Sequence, residues 1–308
     1  MKLVVVCGAS GMVGRALIGA LTHRRTPFAV VGRDPARLAG QFPTAQRCMS
    51  WDGFRDGDSS DVGTIVNLAG AGVNDERWSP AYKTTMTESR ITSTAVCASV
   101  CSRNPTIHLI NASSVHAYGI YPEDHAAFTE SDRDRRVGTC YLQELIDDWE
   151  AATLPAADAG SAVSLLRIGV VLSMDGGALP PLATPFKFFI GGRYGTGKQV
   201  MSWISLRDLV AAIVFLIDRP DIDGPVNVVA PNAATNAEFA RVLGKAMRRP
   251  SAVPLPPAAV RVILGEAGEE LVLAGQRVSP MKLLDAGFEF ADRDLTTCLE
   301  HLTGRRAA

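Results

Sequence analysis

No apolar run in this 308-residue chain approaches the roughly 20 residues that cross a bilayer. A membrane protein is therefore not expected. Charge of one sign is missing too: 31 Lys and Arg stand against 32 Asp and Glu, the formal net charge is −1, and no basic face emerges. Nucleic acid is accordingly an unlikely class of partner. The six cysteines, at positions 7, 48, 97, 101, 140 and 298, follow neither a metal nor a disulfide spacing. Cys97 and Cys101, four apart on a predicted helix, read as small apolar residues facing the core. Free thiols, no metal and a cytoplasmic location are the expectation. The sequon Asn111-Ala112-Ser113 falls at the end of a predicted buried strand and is set aside.

What is present is 47% hydrophobic and 20% charged, ordinary for a globular chain with a sizeable core. It begins with Leu3-Val4-Val5-Val6-Cys7, too short for a helix or a signal peptide and typical of a strand buried on both faces. Gly8-Ala9-Ser10-Gly11-Met12-Val13-Gly14 follows, then Met12, Val13, Ala16, Leu17, Ala20 and Leu21 at helical spacing, then the apolar run Phe28 to Val31 ending at Gly32-Arg33. Strand, glycine turn, helix and strand in that order form a dinucleotide site. Gly8 allows the sharp turn, Gly11 leaves the backbone open to a pyrophosphate, and Gly14 lets the helix lie close on the sheet. The first-turn N–H groups then face the anion. Ser10, Met12, Val13 and Gly32 complete the predicted contacts. Arg33, with Arg37 one turn on, suits a ribose 2′-phosphate, which favours NADP(H). Asp34-Pro35 reads as an N-cap and first helical residue.

Further strands are expected at Val62–Leu68, Thr106–Ala112 and Val163–Leu172, alternating with helices at about 80–102 and from about Thr139. This order predicts an α/β Rossmann fold: a doubly wound parallel sheet with right-handed crossovers. Small residues at strand ends extend the predicted cofactor contacts to Leu68, Ala69, Gly70, Ala112, Ser113, Gly169 and Val170. The expected division gives 1–173 and 203–229 to the cofactor domain, and 174–202 and 230–308 to a smaller, mainly helical substrate domain. The charge run 130–136 reads as solvated surface. Ser205 and Asp208 read as a capping box. Gly192 to Lys198 matches G-x-x-x-x-G-K, but Gln199 replaces the metal-binding hydroxyl and no amphipathic helix follows, so a mobile substrate-side loop is expected instead.

The spacing G-x-x-G-x-x-G, with GASGMVGRAL (8–17), NLAGAGV (67–73), RWSPAYK (77–83), ESRITST (88–94), TE (129–130), WEAA (149–152), RIGVVLSMDGGAL (167–179), GTGKQVMSWI (195–204), GPVNVVAPN (224–232) and GFEF (287–290), resembles the extended and atypical short-chain dehydrogenase/reductases. Within them the chain is most similar to the epimerase-like family with a conserved C-terminal domain of unknown function. The resemblance implies NADP(H) and a reaction centre of Ser or Thr, Tyr and Lys, in which a lysine four residues after the tyrosine lowers its pKa. It places Ser113 and Ser114 at the hydroxyl position and makes Tyr141 the tyrosine to test, with Tyr118 a further phenol on the serine loop. Leu145 stands four residues after Tyr141, and no lysine occurs between Lys83 and Lys187. The proton relay of the superfamily is thus incomplete. Arg77, His116, Tyr118, Gly192 and Trp203 are the candidates on the substrate side. Two functions follow: an NADP(H)-dependent oxidoreductase or epimerase-like enzyme for a small polar substrate, sugar-like molecules included, or a non-catalytic NADP(H)-binding redox sensor or scaffold. A monomer or homodimer is expected in either case.

Overall fold

The computed structural model describes residues 2–121, 123–132 and 140–304. Six strands, β1 (Leu3–Cys7), β2 (Phe28–Val31), β3 (Arg47–Met49), β4 (Val62–Asn67), β5 (His108–Ser114) and β6 (Val163–Ile168), join Gly224–Val228 in one seven-stranded sheet. Their order is β3-β2-β1-β4-β5-β6 and then Gly224–Val228, and every pairing is parallel. The order reverses between β1 and β4, so the carboxyl ends of these strands open a crevice where a Rossmann sheet binds its ligand.

Helices α1 (Met12–His23), α2 (Pro35–Gln41), α3 (Trp51–Asp56), α4 (Pro80–Arg103) and α5 (Tyr141–Ala151) connect the strands. Leu17, Ile18 and Leu21 of α1 pack with Leu209, Ile213 and Leu216 of helix Leu206–Ile217 on one face. Cys97, Val100 and Cys101 of α4 pack on the other, against Val5, Ile65 and Leu109. Helix-forming α4 is capped by Ser79, which accepts from the Tyr82 N–H, and carries Pro80 in its first turn where a proline N–H is not missed. All six cysteines are free. No helix among the described residues is long and apolar enough to cross a membrane.

Three expectations need correction. The strand expected to run from Val163 to Leu172 changes partners at Gly169: Val170–Leu172 leaves the main sheet and pairs in parallel with Trp203–Ser205. A Cβ at Gly169 would lie 2.4 Å from the Ser202 carbonyl oxygen, so only glycine lets the two backbones approach there. Glu130 is not solvated; it is buried and accepts the Asn227 N–H at 3.0 Å. Asp132 accepts the Thr129 N–H at 2.8 Å, and residues 133–136 of that run, with Thr139, lie outside the described residues. Ser205 does cap its helix, but Asp208 does not return the bond; its carboxylate accepts from Ala291 and Asp292 instead. The C-terminal part is mainly helical, with Leu179–Lys187, Asn236–Met247 and Leu295–Leu302 sharing a core around Trp203.

The carboxyl ends of β4 and β5 are fixed by buried amides. Asn67 Nδ2 donates to Asn111 Oδ1 at 2.8 Å and to Thr94 Oγ1 at 3.0 Å, and Trp149 Nε1 donates to the same Thr94 oxygen at 2.9 Å. Strands β4 and β5 and helices α4 and α5 are thereby joined through polar groups that water does not reach. Asn111→Ala strands the Asn67 amide and the Thr94 hydroxyl, and is expected to lower the unfolding free energy by about 2–3 kcal/mol. Urea denaturation should show a lower midpoint with an unchanged slope.

Candidate functional site

The crevice begins at the glycine turn. Gly8 has φ of 78°, and a Cβ there would stand 2.7 Å from the Leu68 carbonyl carbon. A Cβ on Gly14 would stand 2.3 Å from the Gly8 carbonyl oxygen, so α1 lies directly on the turn. Gly11 is the N-cap of α1, with extended backbone, no capping side chain and no acid in the first turn. The first N–H groups are left for an external anion, and a Cβ at Gly11 would meet only the Gly8 oxygen, at 3.4 Å. Ser10 is exposed beside this opening and Met12 and Val13 are half-buried. Met12 is also approached by Gly176 and Gly177 from the loop after Leu172. At the end of β2, past half-buried Gly32, Arg33 and Arg37 are exposed and have no carboxylate partner among the described residues. Asp34 caps α2, accepting the Arg37 N–H at 3.0 Å. These residues fit a dinucleotide whose ribose carries a 2′-phosphate.

Beyond β4, Ala69 N–H donates to Asn67 Oδ1 at 3.2 Å, and Leu68 and Ala69 are half-buried at the crevice floor. Gly70 is exposed, and a Cβ on it would lie 3.1–3.3 Å from the Arg90 side chain. Arg90 comes from α4, lies 5.0 Å over the Trp149 ring and donates to the Met86 carbonyl. Burial pushes its pKa below the usual arginine value, and no carboxylate among the described residues faces it. Sequence reasoning missed Arg90, although an arginine among the small inward-facing residues of the ESRITST stretch was a visible signal.

Beyond β5 the two serines diverge. Ser113 is buried and donates to Glu150 Oε1 at 2.5 Å. Glu150 holds Arg167 through two bonds of 3.0 and 2.8 Å, and Arg167 lies 4.8 Å over the Tyr118 ring. Burial opposes the Arg167 charge, but the Glu150 carboxylate outweighs it, and the guanidinium stays charged. Tyr118 is 3% exposed, stacks on Phe128 and donates to Asn227 at 2.8 Å. Ser113 and Tyr118 thus belong to a buried chain beneath the crevice, which corrects their expected placement at the reaction centre. Ser114 is half-buried, and its Oγ lies 2.8 Å from His116 Nδ1. Enclosure of the imidazole pushes the His116 pKa down to about 4.

Tyr141 opens α5. Its hydroxyl donates to the Lys83 carbonyl at 2.8 Å and pairs with Thr87 Oγ1 at 3.2 Å. Burial raises its pKa, against the Thr87 bond and the nearby Arg90 and Lys83 charges. Lys83 Nζ sits 4.6 Å over the Tyr141 ring and is paired with Glu266. A cation therefore reaches this tyrosine, from α4 rather than from position 145. A cavity of about 440 Å³ lies here, lined among others by Lys83, Cys140, Tyr141, Glu266 and Glu270. Glu270, also missed in the sequence, is buried and accepts the N–H groups of Tyr141 and Leu142, both at 2.9 Å.

The remaining candidates are dispersed. Arg77 is exposed near Gly265. Buried Ala112 lies two residues before the end of β5, while Gly169 and Val170 donate their N–H groups to the carbonyls of Val228 and Ser202. Gly192 packs on the Val253 backbone, and Gly191 and Arg193 accept the N–H groups of Val253 and Leu255. Residues 198–200 lead into a short strand and not a helix, so the phosphate-loop match is accidental. Trp203 is fully buried, its indole N–H donating to the Asn232 carbonyl at 2.9 Å, which corrects its expected placement beside a substrate.

Comparison with known proteins bears on the same residues. Residues 4–230 match the model of the NAD dependent epimerase/dehydratase family, and residues 255–302 match a domain of unknown function, DUF1731. An epimerase family protein of Mycobacterium leprae is 39% identical over 98% of this chain and 96% of its own length. One from Staphylococcus haemolyticus is 36% identical over 98% and 99%. Among solved structures, human epimerase family protein SDR39U1 (isoform 2) with NADPH superposes with a TM-score of 0.86 at 28% identity, covering 98% of this chain and 99% of that one. The nucleoside-diphosphate sugar epimerase of Corynebacterium glutamicum gives 0.76 at 30% identity, covering 98% of this chain and 58% of that one.

Two outcomes follow from the buried charges. Glu150→Ala leaves Arg167 buried without its carboxylate and is expected to cost about 3–5 kcal/mol of stability in urea titration. Burial also lowers the pKa of His108 to about 4, as for His116. Unfolded, both imidazoles take up a proton below their ordinary 6.5; folded, they resist until about 4. The unfolded chain therefore binds more protons in that window, and stability is lost as pH falls from 6.5 towards 4. His116→Gln should reduce that pH slope by close to one proton, measured by denaturation at successive pH values.

Proposed function

The chain belongs to the NAD-dependent epimerase/dehydratase family, and on that footing we propose that it is an NADP(H)-dependent oxidoreductase or epimerase-like enzyme acting on a small, polar, sugar-like substrate. The observation that carries the cofactor choice is the uncapped start of α1 over Gly8, Gly11 and Gly14, together with Arg33 and Arg37 at the end of β2, which no carboxylate among the described residues pairs. The NADPH in the human relative supports it, and the sugar epimerase from Corynebacterium supports the substrate class. In this reading the α1 N–H groups hold the pyrophosphate, Arg33 and Arg37 hold the 2′-phosphate, and Leu68 to Gly70 approach the cofactor through backbone. Bound there, the nicotinamide supplies hydride exchange.

The chain's own contribution to the reaction is a proton. Ser113, engaged by Glu150, and Tyr118, engaged by Asn227, are buried, whereas Ser114 beside His116 is half-buried, so Ser114 is the hydroxyl taken to exchange it. Arg77 and His116 lie on the substrate side, and the chain is divided as 1–173 with 203–229 for cofactor and 174–202 with 230–308 for substrate. The enzyme works in the cytoplasm as a monomer or homodimer. A second reading, NADP(H) binding without catalysis, is favoured by one observation: Leu145 stands where a lysine would activate Tyr141, whose hydroxyl is already engaged.

Calorimetric titration separates the cofactors. Arg33→Ala is expected to weaken NADPH by about 10–100-fold, the loss of a charged hydrogen bond worth about 1.5–3 kcal/mol, and to leave NADH nearly unchanged. Equal weakening of both would refute the 2′-phosphate role. Ser114→Ala should lower turnover against a panel of carbonyl acceptors while NADPH affinity holds. If NADPH binds tightly and no acceptor is reduced, the second reading stands.

A further inference from the structure

Against the expectation of no basic face, the charge of this chain is unevenly spread. Residues 176–207 and 239–265 hold nine Lys and Arg and no Asp or Glu, which leaves the remainder net acidic. The two stretches meet at the end of helix Leu179–Lys187. Val253 N–H donates to the Gly191 carbonyl at 3.2 Å, and the Arg249 guanidinium lies 4.5 Å over the Phe189 ring. Lys187, Arg193, Arg248 and Arg249 are exposed, and no carboxylate among the described residues pairs with them. Beside them stand Phe188, Phe189, Ile190 and Val253, which are 70%, 57%, 60% and 47% exposed.

The backbone holds these side chains outward under strain. Ile190 N–H donates to the Pro185 carbonyl at 3.1 Å and Phe189 N–H to the Phe186 carbonyl at 3.0 Å, the paired bonds of a Schellman ending. The left-handed position of that ending, which favours glycine, is occupied by Phe189 with φ of 64°. A bulky residue is strained at that angle, and this one gains no burial in return. Ile190, whose position in such an ending ordinarily folds back on the helix, is exposed as well.

We propose that the turn at 187–190, with Arg193, Arg248, Arg249 and Val253, docks on an anionic lipid bilayer: the apolar side chains enter the headgroup boundary and the cations meet the lipid phosphates. Binding is peripheral, as no helix among the described residues is long and apolar enough to cross a membrane. The proposal is independent of the reaction assigned above. Charge complementarity selects the occupant. A second copy of the chain, meeting this patch with its own, sets the same cations face to face. Three consecutive side chains, each more than half exposed, make a protruding tip. A bilayer takes up such a tip with no complementary pocket, whereas a folded partner has to supply one.

The test is co-sedimentation of the full chain with phosphatidylcholine vesicles, with and without about 30% phosphatidylglycerol, in about 0.1 M and about 0.5 M NaCl. The expected result is binding to the anionic vesicles alone, largely lost at the higher salt. Phe189→Gly removes the ring and the strain together, so it should lower the partition coefficient about 10-fold while the thermal midpoint stays equal or rises. Arg248→Ala combined with Arg249→Ala should lower the partition about 25-fold, at about 5-fold for each cation. Leu154→Gln, at an exposed apolar residue in a stretch that carries acids, should leave it unchanged. No binding to the anionic vesicles, equal binding to pure phosphatidylcholine, or unchanged binding in either patch variant overturns the proposal. A dimer in sedimentation velocity that Phe189→Gly dissociates, with no vesicle binding, overturns it in favour of a second copy. Retention of a labelled oligonucleotide on the same terms overturns it in favour of nucleic acid.

Discussion

The fold depends on a place where three backbone segments touch with no side chain between them. The turn at Gly8 rests on Leu68, and α1 rests on the turn through Gly14, at separations that a single Cβ would abolish. Because β1 can end that close to β4, the strand order can reverse there and leave a crevice instead of a filled core. Each further part of the site is placed relative to that contact. The buried amides of Asn67 and Asn111 hold the two strand ends level, and the serine loop and the start of α5 follow from them.

Electrostatics then divides the crevice. Arg167, beneath it, is fully answered by Glu150 and holds the floor together. Arg90, beside Gly70, has no carboxylate partner among the described residues and is stabilised by the Trp149 face and one carbonyl. Lys83 is answered by Glu266 from the C-terminal segment. One cation is thus compensated at the base of the site, and a second lies at its wall against an aromatic face.

The part of this that could be read in the sequence is the part that is local. The glycine spacing, the β1-α1-β2 order, the cap at Ser79-Pro80 and the missing lysine after Tyr141 all lie within short stretches, and neighbouring residues determine them. The misplacements involve distant partners. Tyr118 and Trp203 look like candidates for a site until Asn227 and Asn232 take their polar atoms. Glu130 looks solvated until the edge strand, 97 positions on, uses its carboxylate. The strand through Gly169 reads as continuous because both halves are apolar, and only the approach of Ser202 shows why it changes sheets. Arg90, Lys83 and Glu270 escaped notice for the same reason: each acts on a residue at least 20 positions away in sequence.

The change of partner at Gly169 has a mechanical meaning. One uninterrupted stretch of extended chain is β6 in the sheet that carries the glycine turn and, two residues later, a strand in the small sheet that carries Trp203. The two sheets are thus splinted by a stiff rod and not tied by a loop, and a rod that is hydrogen-bonded on both sides of its one glycine resists shear between them. The two sides of the crevice are thereby braced against each other through the backbone itself.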